Sequence, residues 1–155
     1  MIEAERRRLI EQYRRGYDDV ADALAGCTEA DLDARPRPDA WSPREIVHHL
    51  ADSEMTSAIR LRRLIAEEQP VIHGYDQDEF ARRLYYDRPI EASLAAFRAA
   101  RAATVEILER LSPEQWARAG RHTESGAYSV EGWLAIYAVH AHKHADQIRR
   151  ARRGN

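Results

Sequence analysis

The stretch Gln69–Pro89, QPVIHGYDQDEFARRLYYDRP, decides how the rest of the chain is arranged. It separates two long helical patterns, it is bounded by prolines, and it holds its own short helical pattern over about Gln77 to Tyr85. A connection this long lets the helices on either side run parallel instead of folding back as a hairpin.

On its N-terminal side a helix is expected from Pro43 to about Glu67, because Ser42, Pro43 and Glu45 fit the N-cap, first turn and third position of a capping box. Ile46, Leu50, Ser57, Leu61 and Leu64 lie on one stripe of it. On its C-terminal side a helix is expected from about Ile90 to Leu111, with Leu94, Phe97, Val105 and Leu108 facing inward. The first segment, about Ile2 to Ala25, repeats Leu9, Tyr13, Tyr17, Val20 and Leu24 at helical spacing. The last helix is expected over about Val130 to Ala151. Short helical turns fit TEADL and the segment around Trp116, and strand signals are nearly absent. Four long helices with one long crossover give an all-α four-helix bundle, up-down-down-up, as a single domain over 1–155.

Composition agrees with a globular protein: 155 residues, 44% hydrophobic and 32% charged. A formal net charge of -2 gives no reason to expect nucleic acid as a partner. The opening MIEAERRRLIEQ has charges where a signal peptide needs an apolar run, and no apolar stretch nears membrane length. The lone Cys27 excludes an intramolecular disulfide. A cytoplasmic location is the expectation, and Cys27 is expected to be inert.

The chemistry is concentrated in two histidine clusters, EIVHHLADSE (Glu45–Glu54) and YAVHAHKHADQI (Tyr137–Ile148). At 3.6 residues per turn, His144 lies within ~20° and His140 within ~60° of the inward stripe through Tyr137, while His142 points ~140° away. On the earlier helix His49 falls ~60° from the inward stripe and His48 ~160°, so His49 is expected inside and His48 exposed. The i, i+4 pair His140/His144 can reach one ion, and His49 supplies a third imidazole from another helix. With no carboxylate or thiolate beside them, the three suit Zn²⁺ or Ni²⁺ and leave positions open for water or substrate. A hydrogen-bonded core histidine is the competing account of each ring taken singly.

Ser53, Ser57, Arg60 and Arg101 are polar at inward positions, where a plain bundle would carry Leu or Ala. Ser53, Ser57 and Arg101 are candidates for cofactor binding. Arg60 and Arg101 could hold a carboxylate of a substrate or thiol cofactor by bidentate bonds, Arg60 thereby orienting the substrate; an internal salt bridge is the alternative for both arginines. Glu54 is the better placed of two carboxylates, Asp52 and Glu54, for acid–base work, with an exposed helix carboxylate as the alternative. Tyr137, Trp41 and Trp133 read as packing residues, and His73 as a solvated loop residue.

Three segments, WSPREIVHHLADSE, AIRLRRLIAEEQPVIHGYD and AIYAVHAHKHADQI, together resemble the DinB/YfiT-like family of bundle metalloproteins over about Trp41 to Ile148. The resemblance implies metal ligands at His49, His140 and His144. It also implies a homodimer and a metal-dependent enzyme acting on a small-molecule substrate. The leading expectation is a thiol S-transferase using a low-molecular-weight thiol of the bacillithiol or mycothiol type. A metal-dependent hydrolase or isomerase, or a non-catalytic binding bundle, is the alternative. Glu54 departs from the close YfiT-like pattern, where His is expected.

Overall fold

Residues 1–153 are described by the structure, a computed structural model. In chain order the elements are α1 (Glu3–Leu24), α2 (Glu29–Leu32), α3 (Pro43–Ala66), β1 (Val71–Ile72) and α4 (Gln77–Arg83). They continue with α5 (Glu91–Leu108), α6 (Pro113–Trp116), β2 (Ala119–His122), β3 (Gly126–Ser129) and α7 (Val130–Arg153).

Local chemistry fixes the helix starts. The Ser42 hydroxyl accepts from the Glu45 N–H at 3.3 Å, and the Glu45 carboxylate accepts from the Ser42 N–H at 2.8 Å, so α3 begins at Pro43. Ser112 and Gln115 make the same reciprocal pair at α6, and Asp76 caps α4 through the Asp78 and Glu79 N–H groups.

Cross-helix contacts establish the directions of the four long helices. Arg6 meets Glu131, Gln12 meets His142 and Ala23 meets Arg152, so α1 and α7 are parallel. His48 meets Ser93 and Arg62 meets Thr104, so α3 and α5 are parallel too. Between α3 and α7 the order reverses: His49 faces His144, and Ser57 accepts from the Trp133 indole at 2.8 Å. Tyr17 against Phe97 and Arg14 against Glu109 make α1 and α5 antiparallel. The result is the up-down-down-up four-helix bundle, with the 67–90 connection crossing its length.

The core forms two apolar layers. Leu9, Leu61, Leu64, Val105, Leu108, Trp133 and Leu134 fill one end. Val20, Ile46, Leu50, Phe97, Ala141, Ala145 and Ile148 fill the other. Each large side chain so buried contributes about 1.5–3 kcal/mol, against roughly 0–1 kcal/mol for an exposed ion pair such as Arg7–Glu3, so packing carries the fold. Gly16 sits between the layers: a Cβ there would fall 2.6 Å from Arg101 Nη1 and 2.7 Å from the Ala141 Cβ. Its missing side chain lets α1 approach α7 closely with Arg101 lying across it.

A three-stranded sheet corrects the expectation of almost no strand. β1 pairs parallel to β2, Val71 opposite Arg121 and Ile72 opposite His122, and β2 pairs antiparallel to β3. The hairpin between β2 and β3 closes with Gly126 at φ 79°, a conformation that favours glycine. The sheet ties the start of the crossover to the start of α7 and places Ile72 and Tyr128 in the first core layer.

Candidate metal centre

His49 comes from the second turn of α3, and His140 and His144 from successive turns of α7. Because α3 and α7 are antiparallel neighbours, their facing surfaces bring the three rings together. Ring centroids are 4.6 Å apart for His140–His144, 4.8 Å for His49–His144 and 5.5 Å for His49–His140. Each ring offers one nitrogen such that all three lie within 4.8 Å of one another.

The donor set fits a divalent cation. The two Nε2 atoms of His140 and His144 are 3.2 Å apart. Nitrogens bound at about 2.0–2.1 Å to one tetrahedral ion would be separated by roughly 3.4 Å. Bringing His49 to the same distance takes a side-chain adjustment on the order of 1 Å. Metal-binding imidazoles must be neutral, and these are held neutral. Burial, followed by the neighbouring His144, pushes His49 down to about 3. Burial, followed by His144 and His49, pushes His140 down to about 2. His144 is also lowered, again chiefly by burial.

One ring is also oriented. The Nδ1–H of His144 donates to Gln147 Oε1 at 2.8 Å, which leaves the lone pair on Nε2, the atom that faces His140. The Trp41 ring lies 4.9 Å from the His49 ring, and the Tyr137 ring meets His140 edge-on at 5.7 Å, so aromatic walls flank the triad.

Arg60 and the aromatic residues around it form the side of the site nearest the sheet. Its Nη1 donates to the Tyr137 hydroxyl at 3.3 Å and its Nη2 to the His73 carbonyl at 2.7 Å. The guanidinium lies 5.7 Å from the Tyr75 ring centroid. Burial pushes the phenols of Tyr75 and Tyr128 up, so both are neutral donors. Burial, with Arg60 next, pushes His122 down. Tyr137 thus does more than pack: it links the cation to the histidine face. His73 contributes its carbonyl. Tyr75 and Tyr128 sit on a loop and a short strand, where helical periodicity gives no signal.

Of the other anticipated site residues, Glu54, Arg101 and Ser57 have partners elsewhere, while Ser53 stays beside Tyr75. Glu54 is 1% exposed and Arg101 2% exposed. They pair at 2.7 Å, and the second Glu54 oxygen accepts from the Tyr13 hydroxyl. Arg101 also donates to the Tyr13 carbonyl and stacks 4.0 Å from the Tyr13 ring. Burial, with the Glu54 charge next, raises the Tyr13 phenol. Glu54 is therefore no exposed helix carboxylate, and of the two alternatives for Arg101 the internal ion pair is the one formed. The Ser57 hydroxyl donates to the Glu54 carbonyl at 3.0 Å within its own helix, whereas Ser53 is buried beside Tyr75. Asp52 accepts from the Tyr86 hydroxyl at 2.6 Å.

His48, expected at the surface, is fully buried. Its Nδ1 lies 2.8 Å from Ser93 Oγ and its Nε2 3.0 Å from the Arg88 carbonyl, so it fastens the crossover to α3. His142 does point away from the triad, to Asp19 at 2.6 Å and the Gln12 carbonyl at 2.9 Å. Cys27 is half-buried, and burial raises its thiol. Among the described residues, no helix is long and apolar enough to cross a membrane.

Similarities to known proteins agree with this geometry. The sequence profile of the DinB superfamily matches residues 12–148. A protein of Oceanobacillus iheyensis named "Putative metal-dependent hydrolase" is 41% identical over 117 residues, covering 76% of this chain and 68% of that one. A Halalkalibacterium halodurans protein with the same description is 27% identical over 123 residues, covering 79% and 72%. The solved structure of YfiT from Bacillus subtilis, described as "a probable metal-dependent hydrolase with an unusual four-helix bundle topology", superposes with a TM-score of 0.92. It is 26% identical, over 99% of this chain and 89% of that one. The four-helix bundle protein TT2238 shares the fold, with a TM-score of 0.66 at 24% identity over 93% and 98% of the two chains.

Proposed function

The chain belongs to the DinB superfamily, and from that premise we propose that it is a metal-dependent enzyme acting on small molecules. In this proposal His49, His140 and His144 hold one divalent ion, nickel or zinc. The observation that carries it is the convergence of three neutral imidazoles, drawn from two helices, to within 4.8 Å. An ion so held would keep its full charge, because no carboxylate belongs to the donor set, and it would stabilise the anion of a thiol or of water at neutral pH.

We further propose transfer of a low-molecular-weight thiol onto an electrophilic small molecule as the reaction. The protein's own groups have distinct parts in it. Gln147 fixes the His144 tautomer through Nδ1. Trp41 and Tyr137 keep water from the flanks of the histidines. Arg60, reaching over Tyr137, orients the reacting molecule. Hydrolysis is the second candidate, favoured by the descriptions of the relatives as metal-dependent hydrolases.

The test compares metal-depleted, zinc-loaded and nickel-loaded protein with a chlorinated aromatic acceptor, in the presence and absence of thiols. Turnover that needs both metal and thiol, and disappears in His140→Ala, is expected. Equal turnover without thiol would replace transfer by hydrolysis. Activity indifferent to metal would overturn the proposal as a whole.

A further inference from the structure

The two buried arginines of this protein have carboxylate partners, whereas the half-buried Arg60, Arg62, Arg88 and Arg152 have neutral ones only, and of these four Arg60 is the one that reaches the tyrosine beside His140. Arg44 lies against Glu29 and Asp33, and Arg101 pairs with Glu54. Arg60, half-buried on α3, has only neutral partners: the Tyr137 hydroxyl and the His73 carbonyl. Among the described residues no carboxylate lies within ion-pair distance of it. Its Nε is buried without a hydrogen-bond partner, as is the Nε of Arg101, and the hydroxyl of Tyr75, whose ring lies 5.7 Å from the Arg60 guanidinium, is likewise unpartnered. A cation withdrawn from water without a counter-charge is costly, and so is a donor left unmet in the same place.

Position gives the unmet donors a use. Arg60 follows His49 by three helical turns, about 20° from the same line along α3. Its guanidinium reaches Tyr137, which in turn touches the His140 ring at its edge. The unpaired cation and the spare phenol thus stand beside the histidines at a distance set by one tyrosine.

We propose that Arg60 and Tyr75 form an anion subsite, which takes a carboxylate of the small molecule that reacts at the histidines. This rests on the metal-centre reading above and adds the class of molecule: an anionic one, with its charged group separated from the reacting atom by several bonds. The Arg60 fork supplies charge and planar geometry, and the Tyr75 hydroxyl donates to the same group. Neutral analogues of equal length leave these donors unmet and bind less tightly.

Calorimetric titration of the zinc-loaded protein with mercaptopropionate and mercaptohexanoate, each against the mercaptoalcohol of the same length, tests the subsite. The longer acid is expected to bind about tenfold or more tightly than its alcohol, the range of a charge-assisted hydrogen bond. Arg60→Gln is expected to abolish that preference with zinc content unchanged. Arg60→Lys keeps part of it, and Tyr75→Phe weakens it. Equal binding of acid and alcohol, or a preference that survives Arg60→Gln, overturns the subsite while leaving the metal centre intact. If the protein takes up no zinc, the metal reading fails instead. Hexanoate against hexanol on the metal-free chain then decides the subsite by the same criterion. Circular dichroism on each variant separates loss of binding from loss of fold.

Discussion

Two polar clusters lie inside this bundle, and they are built on opposite principles. The Tyr13–Glu54–Arg101 cluster, at the junction of the two apolar layers, is closed: the cation has its carboxylate, and the phenol donates to that same carboxylate. The His49–His140–His144 cluster has no counter-charge in its ring set and turns nitrogens toward a common point. A closed cluster fixes the relative positions of α1, α3 and α5. An open one gains its remaining partner from outside. Burial serves both: it strengthens the ion pair in the first and keeps the imidazoles unprotonated in the second.

The largest effect should come from breaking the closed cluster. Glu54→Ala leaves Arg101 as an unpaired charge in the core and is expected to cost about 3–5 kcal/mol in urea unfolding. A loss below about 1 kcal/mol would mean that water reaches Arg101 and the cluster is not closed. The same variant, where folded, keeps its metal if the two clusters are independent.

Acid should act on the open cluster first. The folded histidines sit at about 3 for His49 and about 2 for His140, below the ordinary value of 6.5 expected in the unfolded chain. A lowered folded pKa means that the unfolded chain binds the proton more readily, so stability is complete above pH 6.5 and declines as pH falls toward 3. The expected slope averages about 1 kcal/mol per pH unit for each of these histidines between pH 7 and 5, approaching about 1.4 at the acid end, measured by unfolding of metal-free protein. A flat profile over that interval would show that the rings are not held neutral by burial.

Much of this arrangement was legible in the sequence, and the parts that were not have physical reasons. The Ser42–Pro43–Glu45 cap marked the start of α3, because capping is a local interaction that needs no tertiary context. The inward faces of His49, His140 and His144 followed from a single rotation angle. The same angle misplaced His48, because α3 is covered by α5 on one side and α7 on another, so its buried surface is wider than one stripe. In the sequence Glu54 stands between an acid–base role and a surface carboxylate, because nothing local signals that Arg101 and Tyr13, far away in the chain, meet it. The strands run two to four residues, too short for an alternation to be visible, and Tyr75 and Tyr128 were missed with them.

The sharpest measurement is metal stoichiometry in gently purified and reconstituted protein, with wild type set beside His49→Ala, His140→Ala, His144→Ala and Glu54→Gln. Wild type and Glu54→Gln are expected to retain about one divalent ion per chain, and each histidine variant to lose it while keeping its helical content. Metal that stays bound when any one of the three imidazoles is removed, or a wild-type chain that binds none, would contradict the shared site.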